Sequence, residues 1–502
     1  MITQEEFNVT KQNNRELYYK INLLNDKFQI IDELSGVAVS LSFTNNASSN
    51  IRRTGSLTIT PNDPNAFKMK AGSKIWLDKY VQIYVGIKDI ITDKIIYTNM
   101  GIYLVNDPSQ TLSSTDDSIT ISLIDLMSKM TGDRGGALDG YSIDTYHIDA
   151  GSDIKEQMSV ILEKCGFYNY IINIADEDYH ETQIDINIDN TQSYYNVLVE
   201  LDYVNTNYQM YFDLNGVFHY EKIPSGHNEQ VMVNDEIWKE CLISASVSNS
   251  YSDIKNHIVV LGKTHDISHF CANPTISTGT ITAKDSSSVT VNQYVCQIPS
   301  VSMYLDNLKI GMTPSSIIAN KSFINVNNLG TYPILTRKHE WCDEVSVANT
   351  YYVLKLTEVP VAKRFDLTIG NKVYSPDYYW EFLGEVSPKG YAIEDNPESP
   401  YYINGSMGDI AITLSGGEYD NITTSELATQ RAEWELYTRC RLQDNIKISC
   451  VPIFWLDVNW VVEITLPNET IPSKYIIKDI STDCSISGVQ EITAMKYYSF
   501  YE

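Results

Sequence analysis

The tripeptide Trp-Leu-Asp occurs twice in this chain of 502 residues, from Trp76 to Asp78 near one end and from Trp455 to Asp457 near the other. The same three blocks follow each copy in the same order. They are a strand of alternating apolar and polar residues, a block that begins with Tyr, and an Ile-Thr pair. The blocks are residues 80–87, 103–109 and 119–120 in the first copy, and 459–466, 475–481 and 492–493 in the second. Three blocks in one order predict that one supersecondary unit is used twice.

The two copies also agree on which face of the strand is apolar. When the tripeptides are superposed, the apolar positions coincide as Val81, Ile83 and Val85 with Trp460, Val462 and Ile464. A slip of one residue would reverse every side chain, so this agreement supports a duplication, although ordinary strand alternation is an alternative explanation. Two similar barrels in one chain can replace two subunits of a ring. Three chains would then present a pseudo-sixfold surface that docks on a true hexamer.

Composition narrows the class of protein. Hydrophobic residues make up 43% and charged residues 20% of the chain, which is typical of packed domains and not of disorder. The net charge of -27 argues against specific nucleic-acid binding, because such affinity comes largely from cations. No apolar run approaches the length of about 18 residues that predicts a membrane span, and the start of the chain does not resemble a signal peptide. The eight scattered Cys residues are expected to be reduced and mostly buried.

The hydrophobic pattern predicts a mainly β, multidomain chain with an α+β insert. We expect two β-barrel domains, one at 1–130, for which a sandwich is the alternative, and the other formed by 241–267 together with 390–502. A small α/β domain is predicted between them at 131–240, and an inserted β-rich domain at 268–389.

Local signals predict several elements within these domains. Ser152 is expected to cap a helix that Gly166 ends, and a second helix is expected over 193–204. Asn215-Gly216 predicts a hairpin turn between two strands. A short helix is expected at about 122–130, and the capping box from Thr423 to Glu426 predicts a helix that ends near residue 441.

Several segments, in the same order, resemble the baseplate hub proteins of phage tails and related siphophage and bacteriocin tail-tip hubs. They are RRTGSLTIT at 52–60, MYFDLNGVFHYEKIP at 210–224, YSDIKNHIVVLGKTHD at 251–266, RAEWELYTRCRLQDNIKISCVPIFWLDVNWVVEI at 431–464 and YIIKDIS at 475–481. The resemblance covers most of the chain and is weakest at 268–389.

This resemblance implies a structural protein of the virion, assembled in the cytoplasm of a bacterial host, and not an enzyme. It implies a homotrimer with two tube-like β-barrels in each chain, which joins the tail tube or a distal tail ring to a central spike or tail fibre and forms part of the DNA conduit. The tape measure protein is a further candidate partner. It implies no cofactor. An acidic channel would let DNA pass without adhering to the wall.

Side chains that could carry chemistry form no convincing catalytic or cofactor constellation. His265, His269 and Cys271 have the best metal-like spacing, with His339 and Cys342 as further candidates, but polar loop residues beside buried thiols are the favoured interpretation. Acidic residues at 176–178 and 185–189 are expected on solvated faces. Ser152 and Ser252 each begin a Ser-x-x-Lys pattern, without the motifs that accompany it in acyl-serine enzymes.

The alternative function is a tail-associated cell-wall hydrolase or glycan-binding protein acting through the insertion. Its candidate contact is an aromatic patch of Tyr378, Tyr379 and Trp380, where sugar rings would stack. The many Tyr residues of the chain suit either interfaces or cores.

Overall fold

The repeated units form the largest sheet of the protein. The computed structural model describes residues 3–34, 36–61, 77–112, 117–138, 145–250, 254–318, 321–342, 345, 347–440, 443–467 and 469–500. The first unit begins with a helix that a Thr3–Glu6 capping box starts. Its elements are α1 Gln4–Thr10, β1 Leu17–Leu24, β2 Ile30–Glu33, β3 Gly36–Asn46, β4 Arg53–Pro61, β5 Tyr80–Lys88, β6 Ile95–Leu112 and β7 Asp117–Ile124.

A small α/β domain follows a single 3-10 turn, Leu126–Lys129, which replaces the short helix expected at 122–130. Its elements are β8 Tyr146–Ile148, α2 Ile154–Lys164, β9 Tyr170–Ile172, β10 Ile186–Ile188, α3 Tyr194–Asp202, β11 Tyr208–Phe212 and β12 Phe218–Lys222. The next helix, α4 Asp235–Cys241, packs instead into the core of the second repeated unit. The predicted hairpin at Asn215-Gly216 is confirmed, since β11 and β12 pair across it. The cap of α2 differs by one residue from our expectation, because the Asp153 carboxylate and not Ser152 accepts the Glu156 amide.

The inserted region is a separate β domain. After β13 Leu242–Ser250 and β14 His257–Leu261, an eight-stranded sheet spans residues 270–385. Its strands are β15 Phe270–Ala272, β16 Thr275–Thr282, β17 Ser288–Cys296, β18 Lys309–Thr313, β19 Phe323–Val326, β20 Thr331–Leu335, β21 Tyr352–Glu358 and β24 Tyr378–Glu385. The 3-10 turn Val361–Lys363 and the hairpin of β22 Leu367–Ile369 and β23 Lys372–Tyr374 complete it.

The remaining residues form a second α/β unit and the end of the large sheet. Their elements are β25 Lys389–Ile393, β26 Ala411–Ser415, the 3-10 turn Gly417–Asn421, α5 Ser425–Arg439, β27 Gln443–Cys450, β28 Val461–Ile464, β29 Ser473–Asp483 and β30 Gln490–Lys496. We expected 241–267 and 390–502 to belong to one barrel. The pairing differs, because β14 pairs with β25 and β26 beneath α5 and not with the large sheet. The cap of α5 is Thr424 and not Thr423.

The two copies of the repeat have the same strand order. The first runs β3-β4-β7-β6-β5 and the second runs β13-β27-β30-β29-β28, with every described neighbour antiparallel. The register of β6 with β7 shifts between Asn106 and Ser109, and that of β29 with β30 shifts between Ile477 and Asp479. Five strands in one order are far more specific than alternation alone, so the duplication is a property of the fold.

The contact of α5 with β25 depends on a glycine. A Cβ at Gly390 would lie 2.1 Å from the backbone of Ala428 in α5. We expect Gly390→Ala to lower the free energy of unfolding by about 1–3 kcal/mol or more, because the helix must move away. Urea denaturation followed by circular dichroism measures this. Gly226→Ala is the matched control, since its Cβ would meet only the Glu229 side chain at 3.5 Å; equal effects of both changes would contradict the prediction.

Candidate functional site

The two repeated units join edge to edge inside the chain. Residues Asp479–Asp483 of β29 pair antiparallel with Ser42–Asn46 of β3, so that one sheet passes from the second unit to the first. The second Trp-Leu-Asp lies beside this contact. We call the surrounding polar cluster the junction and define it by Arg52, Arg53, Tyr211, Asp457 and Lys478.

An ion pair between Arg53 and Asp457 is the centre of the junction. Arg53 Nη2 lies 2.7 Å from Asp457 Oδ2, with side chains that are 6% and 19% exposed. The other carboxylate oxygen accepts from Asn45 Nδ2 at 2.6 Å. Burial raises the pKa of Asp457, but attraction from the two guanidinium groups of Arg53 and Arg52 outweighs it and holds that pKa below its usual value. The pair therefore keeps both charges and specifies how the units meet.

Arg52 extends the junction to the small α/β domain. Its Nη1 donates to Gln209 Oε1 at 3.1 Å, and its Nη2 donates to the Val458 carbonyl at 3.2 Å. Its Cζ lies 4.2 Å from the centroid of the Tyr211 ring, a cation–π contact. The His219 ring stacks on the same Tyr211, with centroids 5.1 Å apart. One arginine thus contacts both the second repeat and the α/β domain.

Lys478 adds a further cation. Its Nζ donates to Asn459 Oδ1 at 3.1 Å, and Asn459 Nδ2 donates to Gln209 Oε1 at 2.7 Å. Burial, with a smaller effect of Arg52, lowers the pKa of Lys478 to about 8. Both repeated units and the α/β domain therefore contribute hydrogen bonds to the junction.

The first Trp-Leu-Asp has different surroundings. Trp76 lies outside the described residues, and the Asp78 side chain is 60% exposed, with the neighbouring Lys79 as its ion-pair partner at 2.7 Å. In the second copy Trp455 is 7% exposed and donates from Nε1 to Thr10 Oγ1 of α1 at 3.0 Å. Equivalent aspartates thus lie at a contact within the chain in one copy and at the surface in the other.

The prediction of an exposed aromatic patch for glycan stacking at 378–380 is wrong. Tyr379 is 4% exposed and Trp380 is completely buried, because β24 is a central strand of the inserted sheet. Only Tyr378 is partly accessible, and it packs edge-on against Tyr332 at 5.5 Å. A run of aromatic letters does not distinguish a core strand from a surface patch.

The residues with metal-like spacing have separate contacts in the described structure. His269 Nδ1 lies 2.8 Å from Ser300 Oγ, and the His339 ring stacks on Phe365 with centroids 3.7 Å apart. Cys271 and Cys342 are buried in the apolar core of the insertion. Of the two Ser-x-x-Lys patterns, Ser252 lies outside the described residues.

A different cluster brings ligand-type atoms together. Among the described residues, His147, Asp149 and Asp185 form the one set of three whose ligand atoms lie within 4.8 Å of one another. All three are exposed, and Arg337 from the insertion forms ion pairs with both carboxylates. The cluster therefore links the insertion to the small α/β domain. The sequence placed Asp185 on a solvated strand face but gave no signal for Arg337, which is 152 residues away.

One protein-family model matches part of the chain. Residues 398–501 match a family described as a domain of unknown function (DUF5048). A search of curated proteins finds no match. Among the described residues, no helix is both long and apolar enough to cross a membrane.

Several solved structures are similar to the chain along its length. One is a 43 kDa tail protein of prophage MuSo2 from Shewanella oneidensis, with 9% identity, a TM-score of 0.48 and coverage of 95% of this chain and 98% of that one. A Neisseria meningitidis tail protein has 7% identity, a TM-score of 0.46 and coverage of 95% and 96%. Prophage tail protein gp18 of Listeria monocytogenes has 9% identity, a TM-score of 0.41 and coverage of 95% and 94%.

The ion pair of the junction provides one test. We expect Arg53→Met to lower the free energy of unfolding by about 3–5 kcal/mol, because it leaves the Asp457 charge without its partner. Chemical denaturation measures the change. Lys284→Met is the matched control, since its pair with Asp366 is about half exposed and should contribute less than about 1 kcal/mol. A loss as small for Arg53 as for Lys284 would show that the junction does not hold the units together.

The pH dependence of His219, which stacks on Tyr211 beside the junction, provides another test. The carboxylates of Asp213 and Glu221 lie 3.7 and 3.8 Å from the ring nitrogens of His219. Asp213 first and then Glu221 raise the pKa of His219 to about 9, above the unfolded value of about 6.5. The stabilisation is therefore complete below about pH 6.5 and is lost as the pH rises through about 9. We expect the difference in unfolding free energy between wild type and His219→Gln to shrink across this window. A difference that stays constant from pH 6 to pH 10 would refute this role.

Proposed function

We propose that this protein is the structural hub of a phage-type tail, a homotrimer whose six repeated units form a ring. The observation that carries the proposal is the contact between β29 and β3, which joins the second unit to the first through strand edges. A contact between equivalent units can be repeated between chains, and a heterologous contact of this kind forms a ring when the rotation between units closes on a full turn.

The strands that would form the same contact between two chains have accessible edges. The counterpart of β29 in the first unit is β6, and the counterpart of β3 in the second unit is β13. β13 is the last strand at its end of the described sheet, and β5 accompanies β6 only as far as Leu104. The far part of β6 in one chain can thus receive β13 of the next, as β29 receives β3 within the chain.

Side-chain exposure supports the same contact. In β3, Leu41 lies opposite Leu57 and is 2% exposed, because the second unit helps to cover it. In β13, Val247 lies opposite the buried Ile446 on the equivalent face, yet it is 56% exposed. Ile243 of the same strand is 58% exposed. A strand edge that presents apolar side chains requires a partner.

With two units in each chain, closure at six units requires three chains. Such a ring has pseudo-sixfold symmetry towards a tail tube or distal tail ring and threefold symmetry towards a central spike or fibre. Its lumen would form part of the DNA conduit, for which the net charge of -27 is suitable because it repels DNA. The protein would belong to the virion tail, where the tape measure protein is a further possible neighbour, and the proposed role involves no catalysis.

The exposed face of β13 provides the test. Light scattering of the purified chain should give three times its mass of 56.9 kDa, and class averages by electron microscopy should show threefold symmetry. Ile243→Lys with Val247→Lys should yield folded monomers, because charges are costly in a dry interface.

Val361→Lys is the control, since Val361 is 80% exposed but lies in the insertion. Folding of all variants is checked by circular dichroism. A wild-type monomer, or a β13 variant that still forms the trimer, would contradict the proposed ring.

A further inference from the structure

Two equivalent hairpin tips lie at one end of the large sheet. The tip between β5 and β6 spans 89–94, and the tip between β28 and β29 comprises residues 465–467 and 469–472 of the described chain. Four successive antiparallel pairings separate β29 from β6, through β3, β4 and β7. Because each pairing reverses direction, β29 and β6 run the same way. Both tips therefore project from the same end of the sheet.

The first tip presents isoleucines on a fixed turn. Ile90 is 66% exposed and Ile91 is 89% exposed. The Ile90 amide donates to Gln12 Oε1, and the Ile91 amide donates to Asp89 Oδ1, both at 2.9 Å. Thr92 Oγ1 donates to the other oxygen of Asp89 at 2.6 Å. Hydrogen bonds thus define the backbone of the turn, while its apolar side chains face solvent.

The second tip has the same character. Ile471 is 75% exposed, whereas Leu466 at the base of the same turn is 7% exposed and packs into the core of the unit. Exposed β-branched residues at both tips are unusual, because turns favour Gly, Asn, Asp, Ser and Pro. A feature that recurs at equivalent positions of a duplicated unit indicates a shared role for the two tips.

We propose that these tips are the docking surface for a hexameric protein ring, with Ile90, Ile91 and Ile471 as the anchoring side chains. This inference rests on the proposed function, since only the trimer brings six tips to one end at nearly sixfold spacing. The partner must present an apolar socket on each of six equivalent subunits. A few side chains that are buried in well-packed sockets supply most of the binding energy of an interface, and multivalency increases the overall affinity.

The sheet itself supplies a matched control at its other end. Ile486 lies in the turn between β29 and β30, at the opposite end of β29, and is 80% exposed. It has the residue type and exposure of the anchors but faces away from the proposed partner. Ile486→Ser therefore separates a specific loss of docking from a general loss of exposed apolar surface.

The experiment measures binding of the trimer to the tail-tube protein purified as a hexameric ring from the same particle, by analytical ultracentrifugation. We expect Ile91→Ser with Ile471→Ser to weaken binding about tenfold or more, because hot-spot anchors are lost at six positions. Ile486→Ser should bind within about twofold of wild type. Light scattering of each variant alone reports the trimer independently.

The outcomes separate the two proposals. A wild-type chain that stays monomeric in the presence of the ring refutes the proposed function. Trimers of the double variant that bind the ring as wild type does refute only the docking surface. Equal weakening of ring binding by Ile486→Ser also refutes the docking surface. A membrane role would refute it as well: in that case the wild type binds phosphatidylcholine vesicles, and the double variant loses vesicle binding but still binds the ring.

Discussion

The ladder between β3 and β29 is the contact on which the rest of the architecture depends. It is a backbone contact, so it carries little specificity of its own, and a bare strand edge would pair with any other edge. The ion pair of Arg53 with Asp457 supplies the specificity that the backbone ladder lacks. A pairing that moved Arg53 away from Asp457 would be costly, because it would leave two largely buried charges uncompensated. The units are therefore joined in one register.

The junction also contacts the small α/β domain. Arg52 and Arg53 are adjacent in sequence and point to different partners, with Arg53 also donating to the Phe212 carbonyl of β11. The α/β domain thus helps to enclose the ion pair and to exclude water from it. The insertion contributes nothing to the junction as defined. Its ion pairs from Arg337 reach exposed carboxylates instead, so its position depends on weaker, salt-sensitive contacts.

Part of the fold could be predicted because the signals were local. The alternation of Val81, Ile83 and Val85 predicted a half-buried strand, and all three are fully buried. Asn215-Gly216 predicted its hairpin for the same reason. Helix starts were displaced by one residue, since adjacent Ser-Asp or Thr-Thr pairs offer two capping side chains and the packing of the helix selects one. The aromatic patch failed because Trp380 has the same letters whether its strand is central or at an edge.

The sequence by itself determined that one strand unit occurs twice and which face of each strand is apolar, because both follow from spacing along the chain. Only the tertiary structure decided what the two Trp-Leu-Asp copies do. Asp457 meets Arg53 across 404 residues of sequence, and no local rule reports such a distance. Asp78 has the same neighbours in sequence but lies at the surface. The difference arises because the second unit has the first as its neighbour within the chain, whereas in the proposed ring the first unit meets another chain.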